Sequence, residues 1–247
     1  MRYYTPEEMK KTYKDEVAEI ISGTVGKNVE HNFALDIFLE YSKKMPQLSM
    51  DAKILDLGTA KGQFLHQLYE AGFKNLYAHD VGDYLPKEAR AFVKDFGVSD
   101  LNTDKLPWAD NFFDAVTVWC VIPHLENPFH CGREIRRVLK PGGMFIFTTP
   151  YLASKPSISH FLKTKNFGRY NEANNHIAML PLSILKKTIF RGFNLVATEY
   201  FVHPKIFKGW RGKLRKKYLA LIAGNPGLRE KFRSRWAYNI CYFLEKT

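Results

Sequence analysis

Between Lys53 and Leu68 the chain reads KILDLGTAKGQFLHQL, and this stretch restricts the fold more than any other. A short apolar run carrying Asp56 is followed by Gly58 and Gly62, then by apolar residues at helical spacing: Phe64, Leu65, Leu68 and Tyr69. Strand, tight turn and helix in that order open a nucleotide-binding βαβ unit, where small residues let a ligand approach the backbone at a helix N-terminus. The same alternation continues downstream. Strands are expected at 52–57, 75–80, 97–99, 112–121, 143–148, 193–202 and 236–244, and helices at 61–71, 86–95, 127–139 and 181–191. Helices at 7–21 and 31–45 precede them, and a long polar loop is expected at 150–178. Such spacing predicts an α/β fold, a largely parallel sheet with helices on both faces.

The chemistry of the glycine turn narrows the ligand. A dinucleotide fingerprint needs G-x-G-x-x-G, but GTAKGQF has Ala60 at the second position and no glycine at residue 63. A phosphate-binding P-loop ends in G-K-S/T, which is missing too. The pattern present is D-x-G-x-x-x-G. Its acid suits a ligand that carries cationic groups, an ammonium or a sulfonium, rather than phosphates.

On these residues the chain resembles the class I S-adenosylmethionine-dependent methyltransferases, and the likeness extends from about Lys53 to Phe201 and again over the last strand. NLYAHD ends in Asp80, 24 residues after Asp56; SDLNTDKLPWADNFFDAV carries Asp100, Leu101 and the Phe113–Asp114 pair. HLENP at His124–Pro128, REIRRVLKPGGMFIFTTP and HIAMLPLSILKKTIFRGFNLV complete five ordered blocks. The branch it most resembles includes the ubiquinone-biosynthesis O-methyltransferases and many small-molecule enzymes. The resemblance implies a Rossmann-like class I methyltransferase fold: seven strands, mostly parallel, with an antiparallel last strand and helices on both faces. It implies that Asp56, Gly58, Thr59, Ala60 and Gly62 line the cofactor, that Asp80 meets the ribose hydroxyls, and that Asp100 and Leu101 meet the adenine. S-adenosyl-L-methionine is the expected cofactor and S-adenosyl-L-homocysteine its product; no metal is expected. Trp119 reads either as core or as a cofactor contact, lying near a strand's C-terminal end.

Two positions depart from the family pattern. Ala60 replaces a usual glycine, at little cost if its φ is negative. Pro123 stands where the branch often has Glu, which changes the loop carrying His124. His124 is the main general-base candidate, because an imidazole titrates near neutrality, and His176 in NNHIAML is a second. The alternative for each is a hydrogen-bonding residue, the commoner role of a lone histidine in a loop, since methyl transfer often needs only in-line positioning. Asp114 reads as structural.

The charge is unevenly placed. The net is +12, and residues 205–247 hold 12 Lys/Arg against 2 Asp/Glu. Three domains of sequence follow: a helical extension at 1–45, a cofactor-binding core at 46–203 plus 236–247, and a basic insertion at 204–235. In the insertion Phe207, Trp210, Leu214, Tyr218 and Leu221 recur every three or four residues among lysines. That pattern suits an anionic membrane surface, an ordinary packed helix, or nucleic acid. Gly209 and Gly212 disfavour a helix before Lys213. No signal peptide or membrane-spanning run is seen, and Cys120, Cys131 and Cys241 lack paired spacing, which fits a reducing cytoplasm, with a peripheral place at the inner membrane for the basic segment.

The function expected is methyl transfer to a hydroxyl or amine of a small, lipid-linked or glycan-type acceptor. An RNA methyltransferase is the alternative, although no N/D-P-P-[YF] motif follows the fourth strand. A methyltransferase-like binding protein without turnover is the third reading. Oligomeric state is not encoded in any motif.

Overall fold

The computed structural model describes residues 29–171 and 174–247, with side chains from residue 32 onward. The helix expected at 7–21 lies outside the described residues. Helix α1 (Val29–Ser42) comes first, then β1 (Ile54–Leu57), α2 (Gln63–Glu70), β2 (Leu76–Asp80), α3 (Lys87–Arg90), β3 (Asp95–Val98), β4 (Phe113–Val118), α4 (Pro128–Val138) and β5 (Leu139–Pro150). There follow α5 (Lys155–Thr164), α6 (Leu182–Lys187), β6 (Phe193–Phe201), α7 (Gly209–Leu221), α8 (Pro226–Trp236) and β7 (Asn239–Lys246).

The seven strands form one sheet in the order β3-β2-β1-β4-β5-β7-β6. All neighbours from β3 to β5 pair in parallel, while β7 runs antiparallel between β5 and β6. Because side chains alternate across a strand, each central strand feeds two cores. Leu55, Leu57, Val116, Val118, Phe145 and Phe147 face one side with Ile135 and Val138 of α4. Ile54, Ala78, Ala115, Ile146 and Phe243 face the other, where α1 and α2 cover them with Phe38, Phe64 and Leu68. Phe38 meets Phe64 and Phe73 edge-on at 5.8 and 5.6 Å. Burial on both faces accounts for the nearly uninterrupted apolar runs of the central strands β1 and β4.

Several elements differ from expectation for physical reasons. The helix expected at 86–95 ends at Arg90, since the Lys94 amide must donate to the Leu76 carbonyl and start β3. The third strand accordingly runs Asp95–Val98, a step ahead of 97–99. β5 is longer than 143–148, extended at its far end by pairing with β7 up to Pro150. The stretch 150–178 is not all loop: Ser154 caps α5 by accepting from the Ser157 amide, and Pro156 sits within the first turn. The last strand begins at Asn239 because residues through Trp236 belong to α8.

Helix α7 starts at Gly209, earlier than Lys213, and its glycines are the reason. A Cβ on Gly212 would lie 2.1 Å from the Phe207 carbonyl carbon, so only glycine lets the helix begin against the Pro204–Phe207 turn. Asp114 is structural as expected on a strand entrance, accepting from the Lys53 amide at 2.9 Å and from Lys140 Nζ at 2.6 Å.

Candidate functional site

The C-terminal ends of β1, β2, β4 and β5 gather the residues singled out in the sequence, where a doubly wound sheet offers its ligand crevice. Asp56, the third residue of β1, is buried, and its Oδ1 accepts from Thr117 Oγ1 of β4 at 2.7 Å. Burial pushes its carboxyl up to about 7, with nearby Asp80 adding to the rise and the Thr117 hydroxyl opposing it. No cationic side chain among the described residues contributes to holding that proton off.

Asp80 ends β2 with only 1% of its surface exposed. Its Oδ2 accepts from the Ala60 amide and its Oδ1 from the Val81 amide, both at 2.8 Å. These two bonds partly offset the burial that raises its pKa. The acid at the end of one strand thus clamps the turn that follows the other. The turn is further tied down by the Gly58 and Thr59 amides, which both donate to the His79 carbonyl.

Within that turn Gly58, Ala60 and Gly62 have φ of +73°, +47° and +74°. For the glycines this is free, and at Gly58 a Cβ would meet Val121 Cγ2 at 2.4 Å. At Ala60 the condition for low cost, a negative φ, is not met: an alanine in the left-handed region costs roughly 1–2 kcal/mol. Ala60→Gly is therefore expected to stabilise the protein by about 0.5–1 kcal/mol, after the glycine's extra unfolded-state entropy is subtracted. Denaturant unfolding checks this, and an unchanged or lower midpoint would contradict the strain.

On the adenine-side segment, Asp100 accepts through Oδ1 from the backbone and side-chain nitrogens of Asn102, at 2.9 and 2.8 Å, and so shapes its own turn. Leu101 is buried in the core. Trp119 stands just beyond β4 and packs edge-on against Phe64 at 5.0 Å, so part of the ring serves the core. Its indole Nε1 is buried with no hydrogen-bond partner, a donor left for a ligand to satisfy.

The two histidines, 52 residues apart in the chain, meet. His124 closes a 3₁₀ turn, Ile122–His124, and His176 lies against it with ring centroids 4.6 Å apart. The link is Pro123, whose carbonyl accepts from the Ile177 and Ala178 amides at 2.8 and 2.9 Å. The residue that departs from the family pattern is thus the one whose carbonyl ties this loop to the 170s segment. His176 Nδ1 lies 2.7 Å from the Arg169 carbonyl and must donate to it, leaving the lone pair on Nε2. Burial, together with the neighbouring His124 and Arg169, lowers its pKa to about 3. His176 is consequently a neutral hydrogen-bond acceptor at ordinary pH rather than a strong base.

Residues that carried no signal in the sequence complete the floor. Cys120 adopts φ +57°, its amide and thiol both lie on Thr148 Oγ1 (2.9 and 3.3 Å), and Asn239 Nδ2 donates to its sulfur. Beside this floor a cavity of 360 Å³ opens between the end of β5, the α5 segment and the α7–α8 segment. Tyr151, Trp236 and Tyr238 supply aromatic walls, while His160, Arg169, His203 and Lys205 supply basic groups, with no Asp or Glu among the described lining residues. The Arg169 guanidinium lies over Tyr238 at 4.2 Å while its carbonyl holds His176, so one residue joins the cavity to the histidine pair.

Residues 55–147 match the methyltransferase domain family. An uncharacterized methyltransferase of Mycobacterium leprae is 28% identical over 121 residues, covering 44% of this chain and 43% of that protein. The ubiquinone/menaquinone biosynthesis C-methyltransferase of Shewanella frigidimarina is 30% identical over 111 residues, 40% of this chain and 43% of its own. The chain thus spans less than half the length of these curated relatives. Among solved structures, the 1,6-didemethyltoxoflavin-N1-methyltransferase of Burkholderia thailandensis, with bound S-adenosylhomocysteine, superposes at a TM-score of 0.64 over 100% of this chain and 92% of its own, at 15% identity.

Proposed function

From its place among the class I S-adenosylmethionine-dependent methyltransferases, the superfamily to which this chain belongs, we propose that it transfers a methyl group to a hydroxyl or amine of a small or lipid-linked acceptor. The observation that carries the reading is the pair Asp56 and Asp80: two buried acids at adjacent strand ends, one without a cationic partner among the described residues, flanking a left-handed glycine turn.

The residues fit S-adenosylmethionine, the cofactor of the family. Asp56 is a buried carboxylate in want of a cation. Asp80 keeps lone pairs beyond the two amides it binds, enough for ribose hydroxyls. Trp119 Nε1 is a buried donor awaiting an acceptor. When bound, the cofactor supplies a methyl group made electrophilic by a sulfonium. The chain's own part is orientation. The His176 Nε2 lone pair accepts from the acceptor's O–H or N–H and aims it, and the neighbouring His124 ring shares that boundary. With a pKa near 3, His176 favours positioning over proton removal; His124 is left as the base candidate. The aromatic, acid-free cavity takes the acceptor's body and any anionic group it bears.

The pH dependence of cofactor binding tests the Asp56 role. Its folded carboxyl titrates at about 7, so binding a cation beside it below that pH must first expel a proton. Affinity for S-adenosylmethionine is expected to fall about tenfold per unit below pH 7 and to level off above it. Calorimetry in buffers of different ionisation enthalpy should show proton release near pH 6.5, and Asp56→Asn should flatten the profile. A flat profile in the wild type would remove Asp56 from the ligand's charged end. Catalysis itself is tested by transfer of radiolabelled methyl to lipid, glycan and RNA extracts, and label appearing only in RNA would replace the small-acceptor reading.

A further inference from the structure

Helix α7 is apolar on two faces. At about 100° per residue, Gly212 and Leu219 share the face turned inward, and Gly212 sits on the Phe207 carbonyl. Trp210, Leu214 and Leu221 fall within roughly 40° of one another on the opposite side. They are 69%, 56% and 83% exposed, so the alternative of a stripe packed on the domain does not describe these three. Phe207 and Tyr218 lean toward Phe232 of α8, with ring centroids 6.3 and 6.0 Å away, although Tyr218 stays 48% exposed. An indole and two leucines in water, on a helix that already has a packed face, call for a partner.

The charge around them says which. Residues 204–235 contain eleven Lys/Arg and one acid, Glu230. Lys213 and Arg211 border the exposed stripe, and Lys217 lies at its edge on a stem long enough to carry its ammonium outward. Nucleic acid would use the cations and the indole but offers nothing to Leu214 and Leu221. A lipid surface uses all of them: acyl chains for the leucines, the headgroup boundary for Trp210, anionic headgroups for the cations.

We infer that the outward face of α7 docks on an anionic lipid bilayer, with Trp210, Leu214 and Leu221 entering the headgroup boundary. The same segment supplies Lys205, Ile206 and Trp236 to the wall of the 360 Å³ cavity, so docking brings that cavity to the lipid surface. The inference deepens the lipid-linked form of the proposed function, yet it is read without turnover.

The test is sedimentation of the full chain with vesicles of phosphatidylglycerol and phosphatidylcholine, and of phosphatidylcholine alone, with S-adenosylhomocysteine binding followed in parallel. Binding should require the anionic lipid. Trp210→Ala with Leu221→Ala should weaken it about tenfold or more, leaving S-adenosylhomocysteine binding intact. Trp210→Glu with Leu221→Glu should abolish it. Lys186→Ala with Lys187→Ala on α6 makes the same change in net charge as that glutamate pair and should alter binding by less than about twofold. Vesicles that leave the protein in solution overturn the inference, as does a loss equally large in the α6 variant. A dimer dissolved by the α7 substitutions would assign the face to a second copy, and retention of polyuridine lost with them would assign it to nucleic acid. Either result overturns the lipid reading, and neither touches the cofactor site.

Discussion

Asp80→Ala is expected to bind S-adenosylhomocysteine at least about 100-fold more weakly than the wild type, the equivalent of two charge-assisted hydrogen bonds. At a ligand concentration that stabilises the wild type by ~2.7 kcal/mol, the variant should gain at most about 0.4 kcal/mol, a shift of its unfolding midpoint of roughly 1 °C or less. The argument has two independent parts. The proposed ribose acceptor disappears, and so does the clamp on the glycine turn, because Asp80 Oδ2 holds the Ala60 amide and Oδ1 the Val81 amide. The ligand-free variant should therefore also be less stable, by about 1–3 kcal/mol for amides that lose their partner. Thermal unfolding with and without ligand separates the two losses. A variant that keeps the ligand shift while losing only basal stability would confine Asp80 to a structural role.

Gly58→Ala should be the most damaging single methyl group in the glycine turn. It forces alanine to φ +73° and places its Cβ 2.4 Å from Val121 Cγ2, a β-branched side chain with little freedom to yield. Left-handed strain of roughly 1–2 kcal/mol and overpacking of roughly 1–3 kcal/mol add to an expected loss of about 2–5 kcal/mol. At this chain length that lowers the midpoint by roughly 5–15 °C. Val121→Ala removes the clashing methyl, so the pair should be more stable than the sum of its parts by about 1–3 kcal/mol. Equilibrium unfolding of the four proteins measures that coupling directly. Strict additivity would mean that the turn relaxes away from Val121 and that the clash is not what glycine avoids there.

The two buried acids at the site are legible in the sequence, and for a common reason. Asp56 and Asp80 interrupt runs that are otherwise buried and apolar, and an acid at a buried strand end stands out against the strand period. What the sequence hides is the partner. Nothing in FDAVTVWCV marks Thr117 as the donor to Asp56, because a threonine in a strand is ordinary β composition. Nothing marks Asn239, which reaches Cys120 from the other end of the chain. The cost of Ala60 is hidden because residue type carries no φ; only the fold, with its clamp from Asp80, shows the left-handed turn. The segment KEARAFVKDF has good local helix propensity, yet it stops after Arg90 because sheet pairing at Lys94 overrides it. The histidine pair depends on Pro123 offering its carbonyl to two amides more than fifty residues away, a contact made by backbone and therefore silent in side-chain patterns.

The way β6 hands the chain to β7 has a consequence for how such folds diversify. Phe201 and Asn239 are register partners in adjacent antiparallel strands, and the Tyr238 amide donates to the Phe201 carbonyl at 2.7 Å. Everything between them, the whole α7–α8 segment, leaves and re-enters the sheet at one point, where paired Cα atoms lie about 4.5–5.5 Å apart. The strands have already met the entropic cost of bringing those ends together, so lengthening the connection adds only slowly to it. The segment is in that sense a transplantable cassette. A short turn in its place should leave the sheet standing, and a different cassette at the same socket would set a different surface beside the same sheet edge.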